Sequence, residues 1–282
     1  MKILITGGKG QLGRELSLLL QEKEGYEVFA RGREELDILA ADELAAQVRA
    51  WRPEVIVHTA AYTKVDQAEA EQDKAWKVNA LGSRNVAVAA ETVGAKLIHL
   101  STDYVFDGKK GAPYDEWDWP NPESVYGRSK LAGEELVRMV CRRFFVVRTS
   151  WVFGPYGNNF VKTMLQLAQA GKDLRVVDDQ VGSPTYTYDL ARFLAKLMRT
   201  EAYGIYHVTN SGSCSWYEFA KAIFEEAGIA ARLEPCTTAE FPRPAPRPPY
   251  SVLEHKAIRL NGFEDLRPWR EGLRDYLQRV RL

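Results

Sequence analysis

The 282-residue sequence predicts an α/β fold in which a doubly wound parallel sheet carries a smaller C-terminal lobe. Three observations predict it. Short apolar, β-branched runs alternate with longer amphipathic stretches through the first half, as in βαβ units whose strands are buried on both faces. A glycine-rich turn separates the first run from the first amphipathic stretch. After Arg148 the rhythm loosens and a proline-dense segment follows, which marks a second, less regular unit.

Strands are expected at residues 2–6, 26–30, 55–59, 96–101 and 144–148, separated by helices at 11–21, 41–51, 73–93 and 129–141. Right-handed crossovers wind such a chain into a Rossmann-like sheet that binds ligands at the carboxyl ends of its strands. Beyond Arg148, helices are expected at 158–170, 187–200 and 215–227, with strands at 174–177 and 204–208. Residues 1–150 are therefore assigned to a dinucleotide-binding domain with returning segments near 174–210, and residues 151–282 mainly to a substrate-binding lobe. Residues 241–249 hold five of the 13 prolines and are neither helix nor central strand; they read as an ordered crossing loop of the substrate lobe, with a disordered linker as the alternative.

The 38 basic and 38 acidic residues cancel, which argues against a nucleic-acid or anionic-membrane partner and for a small molecule. Cys141, Cys214 and Cys236 are widely spaced and odd in number, so neither a disulfide framework nor a zinc site is expected. No run approaches the roughly 18 apolar residues of a membrane span, and the chain opens on Lys2-Ile3-Leu4-Ile5 with no apolar leader. A cytoplasmic location is expected.

Thr6-Gly7-Gly8-Lys9-Gly10-Gln11-Leu12-Gly13 lies at the first strand-to-helix junction. Gly7, Gly10 and Gly13 allow a tight turn, close backbone approach to a pyrophosphate and close helix packing, with Gln11 and Leu12 at the helix head facing the anion. After the second strand stand Arg31 and Arg33 where an acidic residue is common. Guanidinium groups suit a 2′-phosphate, so NADPH is expected, with NADH also open; two solvated surface arginines are the alternative. Tyr126-Gly127-Arg128-Ser129-Lys130 forms a YxxxK pair one helical turn apart. A neighbouring ammonium stabilises a tyrosinate, so Lys130 is expected to lower the Tyr126 pKa and fit it for acid-base work.

The GxxGxxG spacing resembles the extended branch of the short-chain dehydrogenases. Ser101-Thr102-Asp103-Tyr104-Val105-Phe106-Asp107-Gly108, Ser150-Trp151-Val152-Phe153-Gly154, Asp179-Gln180-Val181-Gly182-Ser183-Pro184-Thr185 and Arg247-Pro248-Pro249-Tyr250-Ser251-Val252-Leu253 together resemble the dTDP-4-dehydrorhamnose reductase family, from Lys2 almost to the end of the chain. The resemblance implies NAD(P)H-dependent reduction of the 4-keto group of dTDP-4-dehydro-L-rhamnose to dTDP-L-rhamnose. It makes Thr102, Tyr126 and Lys130 catalytic, and adds Asp37, Ile38, Ala60, Ala61, Tyr62 and Thr63 to the cofactor site. Asn79 is expected to shape its helix and a relay water. On the substrate side it implies Thr102, Asp103, Trp151, Asn159 and Arg247; for Trp151, core packing stays open. Some members dimerise around a magnesium ion held partly by a carboxylate on the first helix, where Glu15 stands. Tyr186-Thr187-Tyr188-Asp189 lacks paired acids, so no metal site is expected, while a homodimer remains open.

Two other functions share these features. A sugar-nucleotide epimerase or dehydratase has the same turn and YxxxK, but dehydratases carry an acidic pair after the threonine, where Asp103-Tyr104 stands here. Some relatives serve as regulatory subunits of methionine adenosyltransferase without catalysis; the intact Thr102, Tyr126 and Lys130 favour an enzyme.

Overall fold

The computed structural model of the chain describes residues 1–280. Its first half runs β1 (Lys2–Thr6), α1 (Gln11–Gln21), β2 (Glu27–Arg31), α2 (Ala41–Trp51), β3 (Val55–His58), α3 (Ser83–Val93), β4 (Lys96–Thr102), α4 (Val125–Val140) and β5 (Phe144–Thr149). The second half supplies α5 (Phe160–Gln169), α6 (Thr187–Leu197), β6 (Gly204–His207), α7 (Trp216–Ala227) and α8 (Trp269–Val280). Strands β1 to β6 form one parallel sheet in the order β6-β5-β4-β3-β1-β2. The order reverses between β1 and β3, where an open α/β sheet leaves its ligand crevice.

Alternating side chains send each strand into two separate cores. Ile3, Ile5, Val55, Val57, Ile98 and Phe145 pack beneath α1 and α6 through Leu12, Leu16, Leu190 and Leu194. Leu4, Ile56 and Leu97 face the other way, against Leu44 and Val48 of α2, Val86 of α3 and Val137 of α4. A third core lies outside the sheet, where Phe153, Val161, Met164, Phe219, Ile223, Leu273 and Tyr276 join α5, α7 and α8.

Several expectations are corrected. Residues 174–177, grouped with the segments returning to the sheet, pair instead with Leu233–Cys236, and Leu174 and Val176 enter the third core. The sheet edge beside β5 is taken by β6, so the returning chain is α6 and β6. The helix expected over 73–93 is α-helical at Gln72–Trp76, widens into a π-turn at Lys77–Gly82, and resumes as α3. Helix α4 starts four residues earlier than expected because Ser124 caps it, its hydroxyl accepting the Gly127 N–H at 3.0 Å. Residues 241–249 contain no helix or strand. Among the described residues no helix is long and apolar enough to cross a membrane.

One buried ion pair joins three of these elements. Glu134 of α4 accepts Arg148 of β5 through both oxygens, Oε1 from Nε at 3.0 Å and Oε2 from Nη2 at 2.7 Å, and also accepts the Ser101 hydroxyl of β4. Both charged side chains are at most 2% exposed. Removing one partner of such a pair strands the other without solvation. Glu134→Ala is therefore expected to cost about 3–5 kcal/mol in urea unfolding. Asp173→Ala, which breaks the exposed contact to Arg232, is expected to cost no more than about 1 kcal/mol.

Candidate active site

The carboxyl ends of β1, β3, β4 and β5 open into a cavity of about 810 Å³. At one end the glycine turn approaches the next loop so closely that side chains are excluded. Gly7 has φ +69°, and a Cβ there would lie 2.7 Å from the Ala60 nitrogen; at Gly13 it would lie 2.4 Å from the Gly7 carbonyl oxygen. Gly10 begins α1 with no side-chain cap, so the first helical N–H groups stay available to an anion. Asp37, Ile38, Ala60, Ala61, Tyr62 and Thr63 continue the wall. Tyr62 is fixed by Asn79, which accepts its N–H at 2.8 Å and donates to its carbonyl at 3.1 Å and to the Ser129 hydroxyl at 3.0 Å. The Asn79 amide thus braces this loop against α4.

Thr102 ends β4, and α4 carries Tyr126 and Lys130 to the same cavity. Gly127 makes this approach possible, since a Cβ there would lie 2.2 Å from the Tyr104 carbonyl oxygen. Lys130 is 3% exposed and its ammonium donates to the Leu100 carbonyl at 2.6 Å. Burial pushes its pKa down to about 8, against the attraction of Glu134. Burial likewise pushes Tyr126 up to about 12, while the Thr102 hydroxyl beside it acts in the lowering direction. Loss of hydration around the phenol dominates the Tyr126 value, and the Asp103 carboxylate adds to the rise. Tyr126 accordingly rests as a neutral donor. Beneath Lys130, His58 is held down to about 3 by burial and by the ammonium, so it stays neutral.

Trp151 follows β5 by two residues, and Thr149 of β5 is the register partner of Thr102, so the indole lies beside the threonine's strand end. Its backbone is left-handed, φ +46°, which is strained for a residue with a bulky side chain. Trp216, at the head of α7, stacks on it with centroids 3.6 Å apart and an 11° angle between planes. Both indoles line the cavity.

The cavity brings together Gly7, Gly10, Gln11, Leu12, Asp37, Ile38, residues 60–63, Thr102, Asp103, Tyr126, Lys130 and Trp151. Gly13 packs beneath the turn. Three expected contacts lie outside the lining. Arg31 lays its guanidinium 3.5 Å above the Phe29 ring and faces Glu35. Asn159 caps α5 and donates to Gly154 and to the Gln11 side chain, both at 2.8 Å. Arg247 forks onto Asp66 at 2.7 and 3.1 Å. The lining includes Arg33, expected beside Arg31, and adds Lys9 and Trp216; Lys9 lies inside the glycine motif itself, but nothing in sequence ties Trp216 to Trp151. Glu15 faces Arg279 at 3.6 Å and accepts Thr187 at 3.3 Å, and no cluster of three or more His, Cys, Asp or Glu side chains forms among the described residues.

A Rossmann-like parallel sheet with a glycine cradle and a Thr, Tyr and Lys set in one cleft defines the class of extended short-chain dehydrogenases. The chain belongs to the RmlD substrate binding domain family, whose model matches residues 1–282. It is 48% identical to the spore coat polysaccharide biosynthesis protein SpsK of Bacillus subtilis, over 98% of this chain and 97% of that protein. It is 46% identical to the dTDP-4-dehydrorhamnose reductase of Aggregatibacter actinomycetemcomitans, over 90% of each. The crystal structure of dTDP-4-dehydrorhamnose reductase from Bacillus anthracis, in complex with NADP, superposes with a TM-score of 0.95 at 48% identity, covering 99% of both chains.

The indole stack fixes one further expectation. A Cβ at Gly182 would lie 2.6 Å from the Trp151 ring, which Trp216 stops from retreating. Gly182→Ala is expected to lower stability by about 1–3 kcal/mol through overpacking and to shift the tryptophan emission, read by chemical unfolding and fluorescence of the same samples.

Proposed function

We propose that this protein reduces the 4-keto group of dTDP-4-dehydro-L-rhamnose to give dTDP-L-rhamnose. The observation that carries the reading is the convergence of Thr102, Tyr126 and Lys130 on a cavity whose other end is a side-chain-free glycine cradle. The family relatives named for this reaction support it.

Gly7, Gly10, Gln11 and Leu12 would hold the pyrophosphate of a nicotinamide cofactor, with Gly13 packing the turn; Asp37, Ile38 and residues 60–63 would line the adenine and ribose path. The cofactor, when bound, supplies the hydride. Thr102 orients the substrate carbonyl, and Tyr126, neutral at physiological pH, gives its proton to the developing alkoxide. Lys130 then stands beside the phenolate and stabilises it. The cores divide the labour: the Rossmann-like half positions cofactor and acid, while the lobe built on α5, α7 and α8 presents Trp151 and Trp216 as an apolar wall to a 6-deoxy ring.

NADPH is the preferred reductant in this reading. Arg33 and Lys9 reach the cavity mouth as exposed cations, 74% and 65% accessible, where a 2′-phosphate would meet them. Glu35 and Asp37 beside them keep NADH acceptable through the ribose hydroxyls. Arg31, committed to Phe29, serves as a backing group. Arg247 and Asn159 are assigned to shaping the substrate side through Asp66 and Gln11.

The decisive assay is oxidation of NADPH with the dTDP-4-keto-6-deoxy sugar; an absence of turnover would sink the reading. Tyr126→Phe is expected to lower kcat by ~10²- to 10⁴-fold, the usual worth of a general acid, while NADPH still binds. Arg33→Ala is expected to raise KM for NADPH roughly tenfold more than KM for NADH, from the loss of one charge-assisted bond. Equal changes for the two cofactors would remove Arg33 from phosphate recognition.

A further inference from the structure

Thr102 has a single hydroxyl proton, and two groups beside it compete for that proton, the Asp103 carboxylate and the Tyr126 phenol. Its Oγ1 donates to Asp103 Oδ1 at 3.0 Å, and the backbone N–H of Tyr104 donates to the same Oγ1 at 3.2 Å. The second carboxylate oxygen, Oδ2, accepts the Ser251 hydroxyl at 2.6 Å. Asp103 is only 2% exposed, so solvent supplies no alternative partner. A ketone oxygen is an acceptor only, and a hydroxyl has one hydrogen to give. While Thr102 donates to Asp103, it has nothing to offer a substrate carbonyl.

We propose that Asp103 is a positioning residue that gates the Thr102 proton: its protonated carboxyl donates to Thr102 Oγ1 and turns the threonine hydrogen towards the substrate carbonyl, whereas its carboxylate holds that hydrogen back. The inference rests on the reduction proposed above and adds a control within the same site. No bond is made or broken; a hydrogen-bond chain reverses direction when one proton is added.

The surroundings of Asp103 suit such a gate. Burial raises its carboxyl to about 6, against the lowering effect of the Ser251 and Thr102 hydrogen bonds. The ionisable groups facing it are the phenols of Tyr104, from its own turn, and Tyr126, from α4, both pushed up and neutral. Arg247, the guanidinium felt at Tyr104, is bound to Asp66. Among the described residues no cation bonds the Asp103 carboxylate directly, so the proton stays on up to mildly acidic pH. The sign follows: the competent form is present below about pH 6 and is lost as pH rises through that value.

The test compares kcat/KM between pH 5 and 9, with NADPH and the dTDP-4-keto-6-deoxy sugar, for the wild type, Asp103→Asn and Ser251→Ala. In the wild type kcat/KM should rise roughly tenfold as pH falls through 6, the worth of a bond to a charged acceptor. In Asp103→Asn the amide oxygen takes the Ser251 hydrogen and the NH₂ group donates to Thr102, so the profile should be flat at the wild type's acid level. Ser251→Ala removes a donor that favours the carboxylate, and its midpoint should move to higher pH. An Asp103→Asn variant that keeps the wild-type midpoint, or that raises KM equally at every pH, would overturn the gate, the latter marking a substrate-hydroxyl contact instead. Infrared spectroscopy of the protein without substrate gives a second readout. A protonated-carboxyl band that appears near pH 6 in the wild type and is missing from Asp103→Asn is expected, and its absence from the wild type overturns the gate. If the band is present and the wild type shows no turnover, the reaction assigned above is what fails.

Discussion

The buried pair of Glu134 and Arg148 is the constraint on which the geometry of this molecule depends. Glu134 lies one helical turn beyond Lys130, Arg148 precedes the Thr149 that neighbours Thr102 in the sheet, and Ser101 precedes Thr102 itself. A single carboxylate therefore fixes the axial position of α4 relative to the ends of two strands. Non-directional packing cannot do this alone, because apolar contacts between a helix and a sheet tolerate small slides that a forked guanidinium and carboxylate do not. The same carboxylate is the charge that opposes desolvation at Lys130. Alignment and charge balance in the cleft thus share one origin.

The sheet was legible in the sequence because its strands are buried on both faces and its helices on one. Val55, Ile56, Val57 and Leu97, Ile98 leave no polar position to misassign. The glycine turn was equally legible, since Gly7 and Gly13 meet backbone atoms that no other residue could accommodate. The lobe was not. Its strands at Val152–Phe153, Val181–Gly182 and Cys214–Ser215 have two residues each, too short for any alternation to register. What holds them is partner chain far away, and such partners leave no local signal.

The same argument explains which expected site residues lie outside the lining. Asn159 and Arg247 have the chemistry of ligand-binding side chains, but their nearest polar partners, Gln11 and Asp66, are 148 and 181 residues distant in the chain. A sequence read by motif finds the polar group and misses the neighbour that occupies it. Lys9 and Trp216 are the converse, ordinary residues by position that the fold turns towards the cleft. Each reaches it from the head of a helix or the turn before one, where the chain must change direction.

The placing of β6 carries a consequence for how the chain is made. Its four residues pair with β5, yet 54 residues separate the end of one strand from the start of the other. Until Gly204 to His207 emerge, β5 is a sheet margin of unpaired amides and carbonyls beside Phe145 and Val147, the kind of edge that other chains can join. The ribosome adds about 5–20 residues each second, so this edge stays open for several seconds in every round of synthesis. The excursion that builds the substrate lobe is therefore also the interval in which the nascent protein is most open to mispairing.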